Sequence, residues 1–161
     1  MENKFVYNRL VEAFHLGIKS WSESYECETI IIEKDIIKQI LINLKEKFGF
    51  ILLTDLCGVH YPDNDFPFAV VYHLHNLQEN KRLRVKTFLT AEPAIDSVSE
   101  IFSSANWMER ETYDFYGIQF QGHPNLIRIL NVEYLDYFPM RKEFPLEDPT
   151  REDKDDRFFG R

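Results

Sequence analysis

The sequence predicts an α+β, two-layer domain in which helices pack on one side of a mixed, mostly antiparallel sheet, followed by an extended C-terminal arm. Two observations carry this prediction. Apolar residues between Asp35 and Phe48 recur at helical spacing, which is typical of an amphipathic helix that covers a sheet. Several later segments alternate apolar and polar residues and follow one another across short turns, which favours antiparallel pairing.

The first third of the chain contains two predicted helices with strands around them. A helix is expected over residues 4–16, and the β-branched run within residues 17–33 predicts one or two strands. The amphipathic helix over residues 35–48 stops at a glycine. Residues 50–59 then form a predicted buried strand, and a loop rich in turn residues follows.

The middle of the chain predicts a β-hairpin. Residues 66–75 and residues 82–89 both alternate in hydrophobicity, and only a short polar stretch separates them. Residues 91–102 are expected to form a connection that contains a short helix.

The remaining elements are predicted from turn residues. A helix is expected over residues 105–116 and a short strand over residues 117–120. Pro124 stands at a favoured first helical position and therefore predicts a further helix. Residues 1–138 form the predicted domain. Residues 139–161 form the predicted arm, because prolines recur there and the last fifteen residues hold little apolar surface.

Composition excludes several classes of function. The net charge of −8 counts against nucleic-acid binding, which relies on Lys and Arg, and favours a basic partner. No run of about 18 apolar residues and no signal peptide is visible, so we expect a cytoplasmic protein. Cys27 and Cys57 lack CxxC spacing and are interpreted as reduced thiols.

Two groups on the predicted hairpin suggest binding chemistry. His73 and His75 would point the same way from one strand and, with Glu109, suggest a metal-dependent hydrolase, although a third ligand at metal-site spacing is missing. Arg82, Arg84 and Lys86 would share one strand face. That row fits either an anionic partner or an ordinary solvated face.

The stretch from Asn106 to Leu130 carries the residue types of an active site. Its carboxylates Glu109 and Asp114 lie five positions apart on the predicted helix, so they point in different directions. Arg110 and Asp114 have the i, i+4 spacing of an ion pair. Aromatic residues and paired charges in this arrangement favour a surface that binds a partner protein over a catalytic pocket.

Two motifs resemble a known family. "ERETYDFYGIQFQGHPNLIRIL" and the following "FPMRKEFPL" are similar to the signature of the C-subunit of the respiratory NADH:quinone oxidoreductase, complex I. Two departures are mild: Met140 replaces Leu and Glu143 replaces Asp. Tyr137 stands where the family usually has Gly, so the turn there is expected to form with a negative φ.

The resemblance implies a structural and assembly component of the peripheral, cytoplasm-facing arm of a proton-translocating enzyme. Its expected partners are the quinone-cavity subunit (the D-subunit), which forms most of that cavity, and the terminal-cluster subunit (the B-subunit), which carries the last iron–sulfur cluster. FMN and the iron–sulfur clusters would reside in such partners, and this chain would bind no cofactor and reach the membrane only through the complex. Membrane-bound hydrogenases and other quinone-linked dehydrogenases contain a similar domain and remain alternatives.

The motif residues are interpreted as partner-binding residues and not as catalytic ones. We expect Arg110 and Asp114 to pair, His123 to make a turn hydrogen bond before Pro124, and the C-terminal arm to fold on the quinone-cavity subunit. Arg141 and Lys142 are expected to face acidic groups of a partner. The complete set comprises Glu109, Arg110, Asp114, His123, Arg128, Arg141, Lys142, Phe144, Phe158 and Phe159.

Overall fold

The computed structural model describes residues 5–14, 17–24 and 27–144. Its elements are α1 (Phe5–Phe14), β1 (Ile18–Ser24), β2 (Cys27–Ile32), α2 (Ile37–Phe48), β3 (Leu52–His60), β4 (Phe68–Asn76), β5 (Lys81–Leu89), β6 (Ala94–Asp96), α3 (Ala105–Tyr116) and β7 (Gln119–Gln121). A short 3₁₀ turn, Lys34–Ile36, leads into α2.

The main sheet has five strands in the order β1-β2-β5-β4-β3. All neighbouring pairs are antiparallel except β2 and β5, which are parallel. A short turn joins β4 to β5, and α2 lies in the connection between β2 and β3. The α+β class with a mixed, mostly antiparallel sheet is therefore confirmed.

The core lies between the helices and one face of the sheet. Leu10 of α1, Leu41 of α2 and Ala105 of α3 join a single buried cluster with strand residues such as Val70 and Val85. In α2 the buried positions recur at the spacing expected of an amphipathic helix. The helices therefore form one layer, and the opposite face of the sheet has no described helix over it.

Two predictions of local structure are wrong. Residues 91–102 contain the strand β6 and turns instead of a helix, because β6 pairs in parallel with β7, far along the chain. The helix expected from Pro124 does not form, and residues 122–144 run as turns and irregular backbone. We call residues 122–144 the signature loop. Three of its backbone N–H groups, at residues 129–131, donate to the Asp114 side chain of α3, as described below.

The signature loop packs on the domain through its last described residues. Lys142 N donates to His60 Nδ1 of β3, and the Arg141 guanidinium lies over the ring of Phe68 of β4. The predicted division at residue 138 remains a prediction. Residues 145–161, including Phe158 and Phe159, lie outside the described part. No helix in the described ranges is long and apolar enough to cross a membrane.

Candidate partner-binding site

The functional candidates meet on α3 and on the signature loop. α3 buries Glu109, Arg110 and Asp114, although a charged side chain is costly to bury without polar partners. The helix ends at Gly117, whose φ of 75° is the left-handed conformation of a helix C-terminus. The hydrogen-bond partners of these three side chains therefore show which parts of the chain α3 holds in place.

Glu109 joins α3 to the segment that follows β6. Its carboxyl is fully buried, and it accepts hydrogen bonds of 2.6 Å from Ser97 Oγ and 2.7 Å from the backbone N–H of Val98. Burial raises the pKa of Glu109 to about 7, although the two hydrogen bonds act in the opposite direction. Glu109 is thus a structural carboxyl close to its titration point at neutral pH.

His123 fixes the start of the signature loop. Its Nδ1 accepts the backbone N–H of Asn125 at 3.0 Å, so Nε2 carries the proton and donates to Asn106 O at 3.0 Å. The bond to Asn125 is the turn hydrogen bond that the sequence predicts. His123 Nε2 also lies 4.0 Å from Glu109 Oε2, so the two buried side chains are neighbours.

Asp114 is the anchor of the signature loop. Its Oδ2 accepts the backbone N–H groups of Ile129, Leu130 and Asn131 at 3.0, 2.7 and 2.9 Å, and its Oδ1 accepts Asn131 Nδ2 at 3.0 Å and Arg128 Nη1 at 2.8 Å. Burial disfavours the charged carboxylate, but these donors outweigh that penalty and hold the pKa of Asp114 well below its usual range. The carboxylate is ionised at neutral pH.

Arg128 holds the next part of the signature loop. Its Nη1 also donates to Asp114 O at 2.9 Å, and its Nη2 donates to Leu135 O at 2.8 Å and to Tyr137 O at 3.0 Å. The guanidinium lies over the ring of Phe138 at 4.9 Å. One planar group with several donors therefore connects α3 to two separate parts of the loop.

The predicted pair of Arg110 with Asp114 is wrong. Asp114 pairs with Arg128, while Arg110 Nε donates to Ile127 O at 3.3 Å and its guanidinium lies over Trp107 at 4.6 Å. The i, i+4 spacing makes the local pair available. Asp114 nevertheless points to the loop, where three backbone N–H groups, the Asn131 side-chain amide and Arg128 Nη1 donate to its carboxylate.

Arg141 closes the signature loop over the end of α3. Its Nε donates to Tyr116 O at 2.8 Å, and its guanidinium lies 4.9 Å from the ring centre of Phe68 and 4.8 Å from that of Phe138. Its ion pair with Glu143, at 3.9 Å, is long. Arg141 therefore has a structural role within the chain, and its contact with a partner stays a prediction.

Gly117 leaves room for this closure. Replacing Gly117 by alanine should lower the free energy of unfolding by about 1–2 kcal/mol more than the same change at Gly122. Both glycines have positive φ, 75° and 79°, so both variants carry similar backbone strain. A Cβ at Gly117 would lie 2.5 Å from Phe138 Cε2, whereas at Gly122 it would meet nothing within 4 Å. Urea unfolding of the two purified variants measures the difference, and equal losses would contradict the close packing of Phe138.

The signature loop exposes large apolar side chains. Ile127, Leu130, Val132 and Tyr134 are 46, 64, 48 and 87% exposed, and we call these four residues the apolar strip. Scattered apolar residues are normal on a protein surface, whereas four of them on one anchored loop make this loop a candidate binding surface. Phe144 is also exposed, and its ring contacts that of Tyr137 at a centroid distance of 4.8 Å.

The predicted site residues therefore fall into two structural groups. Glu109, Asp114 and His123 have buried side chains that form hydrogen bonds within the chain, whereas Phe144 is exposed. Sequence reasoning missed the partners of these side chains, including Ser97, Asn131 and the backbone of the loop, and it missed His60, which accepts the Lys142 N–H. It also missed the apolar strip, although "LIRIL" and the following "NVEYL" already show apolar residues too dense for a solvated loop.

The histidines of β4 are held by local contacts. His73 Nε2 accepts Arg84 Nε at 2.8 Å, and His75 Nε2 lies 3.2 Å from Asn80 Oδ1. Glu109 belongs to the helix layer, away from these two rings. Within the described ranges no three His, Cys, Asp or Glu residues are grouped to hold a metal ion. The hydrolase hypothesis is therefore not favoured.

Comparison with known proteins decides the family. The family model described as "Respiratory-chain NADH dehydrogenase, 30 Kd subunit" matches residues 30–150. The chain belongs to this family. The match covers α2, the whole hairpin, α3 and the signature loop, so the site described above lies within it.

Members of the 30 Kd subunit family are similar over most of the chain. The NADH-quinone oxidoreductase C-subunit of Citrifermentans bemidjiense is 39% identical over 94% of this chain and 94% of its own length. The protein of the same name from Chelativorans sp. is 42% identical over 80% of this chain and 66% of its own length.

Two solved structures share the fold. The trypsin-resistant fragment (1–134) of Nqo5 is 28% identical, with a TM-score of 0.66 over 76% of this chain and 100% of the fragment. A chain of the membrane-bound sulfane sulfur reductase, an archaeal respiratory membrane complex, has a TM-score of 0.76 over 91% of this chain and 87% of its own length. Its identity of 20% carries an argument about fold alone.

Proposed function

We propose that this chain is a structural subunit of a respiratory NADH:quinone oxidoreductase, in which it binds neighbouring subunits and performs no redox step itself. The relatives at about 40% identity are named as the C-subunit of that enzyme, which favours it over a hydrogenase or another quinone-linked dehydrogenase. The observation that carries the proposal is the apolar strip, exposed on a loop that buried charges hold in place.

The charged residues of the site support a structural role. The Asp114 carboxylate already accepts five hydrogen bonds from Arg128 and the loop residues 129–131. Glu109 is bound to Ser97 and Val98. A carboxyl that serves as a general base must instead have a free lone pair within reach of a substrate proton. The Asp114 contacts therefore fix the shape of the loop, and those of Glu109 hold α3 to the segment after β6.

A loop whose shape is already fixed binds a partner at a lower entropic cost. Ordering a mobile loop on association costs roughly 0.5–1.5 kcal/mol for each side chain that is immobilised, and a preformed loop avoids much of this cost. Exposed Leu130 and Tyr134 then provide apolar and aromatic surface of the kind found at the centre of interfaces. The signature loop is the primary docking surface of this chain.

The proposal extends to particular partner subunits and to the place of the chain in the complex. The quinone-cavity and terminal-cluster subunits are the proposed neighbours, and the C-terminal arm continues from the signature loop onto the quinone-cavity subunit. FMN and the iron–sulfur clusters reside in partner subunits, and the complex translocates protons. The chain lies on the cytoplasmic side of the cell membrane as a peripheral component held by the complex. The similarity to named subunits of respiratory enzymes supports these assignments.

Charge introduced into the apolar strip tests the docking surface. Leu130→Asp in a tagged chain should reduce the amount of oxidoreductase that copurifies from membranes by about tenfold or more, because a buried unpaired charge in an interface is costly. Quantitative mass spectrometry of the purified complexes measures the effect.

The matched control is Leu77→Asp. Leu77 is also an exposed leucine, 54% against 64%, but it lies in the turn between β4 and β5. The control should copurify normally, and both variants should keep the circular dichroism of the parent chain. Normal recovery of Leu130→Asp would overturn the proposed docking surface. If the parent chain itself brought down no oxidoreductase, the proposed function would be wrong.

A further inference from the structure

A row of cations lies on the sheet face opposite the helices. Arg82, Arg84 and Lys86 alternate along β5 with Leu83 and Val85, which are buried in the core. The three side chains therefore project from the other face, and we call them the basic row. This face lies across the sheet from the layer that carries α3.

Arg84 is held in position by neutral groups. Its Nε donates to His73 Nε2 at 2.8 Å, and its Nη1 lies 3.4 Å from Thr29 Oγ1. Because His73 Nε2 accepts this bond, the ring proton is on Nδ1, which lies 3.3 Å from Asp55 Oδ2. Asp55 thus orients the imidazole, and the imidazole orients the guanidinium. Asp55 does not pair directly with Arg84.

Lys86 is also positioned by neutral partners. Its Nζ donates to Tyr61 OH at 2.9 Å and lies 4.5 Å from the ring centres of both Tyr61 and Phe88. These contacts fix a side chain that is otherwise flexible, and they leave its charge uncompensated. Arg82 is exposed at the start of the row.

The basic row is therefore a positive surface on an acidic protein. Within the part of the chain that the structure describes, none of its three cations forms an ion pair. The whole chain has a net charge of −8. Because the groups that orient Arg84 and Lys86 are neutral, both cations still attract an external anion. Their side chains are already ordered, so binding such an anion costs little side-chain entropy.

We propose that the basic row binds an extended acidic segment of a partner protein. The row's side chains repeat at about 7 Å, which is the spacing of alternate residues in an extended strand, so carboxylates at alternate positions of such a segment match it. The inference goes beyond the docking of the signature loop, because it adds a second interface on the other side of the sheet.

A protein fits this face better than a nucleic acid does. Nucleic-acid binding draws its affinity from many phosphate contacts, typically about 6–10, and the negative charge of this chain opposes a polyanion. The partner envisaged here is met within an assembly, so the inference rests on the proposed function for its setting. The face itself can be tested on the purified chain.

The first measurement uses a defined probe. A fluorescent ten-residue peptide of alternating Glu and Thr should bind the purified full chain, and Arg82→Glu should weaken that binding by about tenfold. The matched control is Lys47→Glu, which changes the net charge equally at an exposed residue of α2. It should leave peptide binding unchanged.

Each result of this measurement decides the proposal. Absence of peptide binding by the parent chain, or equal weakening by the two variants, would overturn it. Tighter binding to a 20-nucleotide single strand or to vesicles of anionic phospholipid than to the peptide would also overturn it, in favour of those ligands. The peptide result is independent of whether the chain copurifies with an oxidoreductase, so the two proposals can fail separately.

A second measurement examines the assembled complex. Zero-length carbodiimide cross-linking joins an amine to a carboxylate only when the two are in contact. It should couple Lys86 to an Asp or Glu of another chain in the copurified enzyme. If an acetylating reagent modified Lys86 in that enzyme as readily as in the isolated chain, and no such cross-link formed, the basic row would be uncovered and the proposal refuted.

Discussion

Replacing Asp114 by alanine should lower the free energy of unfolding of the full chain by about 3–5 kcal/mol, which is typical of removing one partner of a buried ion pair. The substitution leaves the N–H groups of Ile129, Leu130 and Asn131 without their acceptor and removes the carboxylate that pairs with the Arg128 guanidinium. Urea unfolding at neutral pH measures the loss. The apolar strip should also lose its fixed position, and copurification with the oxidoreductase should fall.

The control for Asp114 is Glu111, an exposed acid on the same helix. Glu111→Ala should change the free energy of unfolding by less than about 0.5 kcal/mol. The pKa of Asp114 is held below its unfolded value of 3.8, so its contribution is present at neutral pH and is lost as the pH falls below about 4. The Asp114→Ala variant should lack that acid-dependent part. A loss as small as that of Glu111→Ala would show that the loop is held by other contacts.

The regular elements of the fold were predictable because their signals are local. The apolar repeat of α2 and the alternation of β4 and β5 each lie within a dozen residues, and the structure has these elements close to the predicted bounds. The segment after Pro124 has an equally good helical pattern, yet it forms no helix. Its N–H groups at residues 129–131 bond to Asp114, about fifteen positions earlier in the chain, and a local pattern does not reveal such a contact.

The site was predictable in residue identity but only partly in geometry. The motif pointed to Glu109, Asp114, His123 and Arg128; the last three hold the signature loop, and Glu109 joins α3 to the segment after β6. The sequence could not reveal which acid meets which base, because Arg128 lies fourteen positions from Asp114 whereas Arg110 has the favourable local spacing. The catalytic appearance of this stretch arises from charges that the fold uses internally.

Replacing Glu109 by glutamine should change how stability depends on pH. The pKa of Glu109 is about 7 in the folded chain, against 4.5 in the unfolded chain. Because the folded state binds this proton more tightly, the contribution of Glu109 is fully present below about pH 4.5 and is lost as the pH rises through 7. The parent chain should therefore lose roughly 2–3 kcal/mol from this group between pH 5 and pH 8.

Glutamine imitates the protonated acid in this pocket. Its carbonyl oxygen can accept the Val98 N–H, and its amide can donate to Ser97 Oγ, so the contacts of 2.7 and 2.6 Å have neutral equivalents. Glu109→Gln should therefore be about as stable as the parent at pH 5 and clearly more stable at pH 8, as measured by urea unfolding at each pH. Glu111→Gln, at the exposed position, should follow the parent curve. Parallel curves for parent and Glu109→Gln would mean that Glu109 stays ionised throughout this range, and that Ser97 and Val98 stabilise its charge more strongly than burial opposes it.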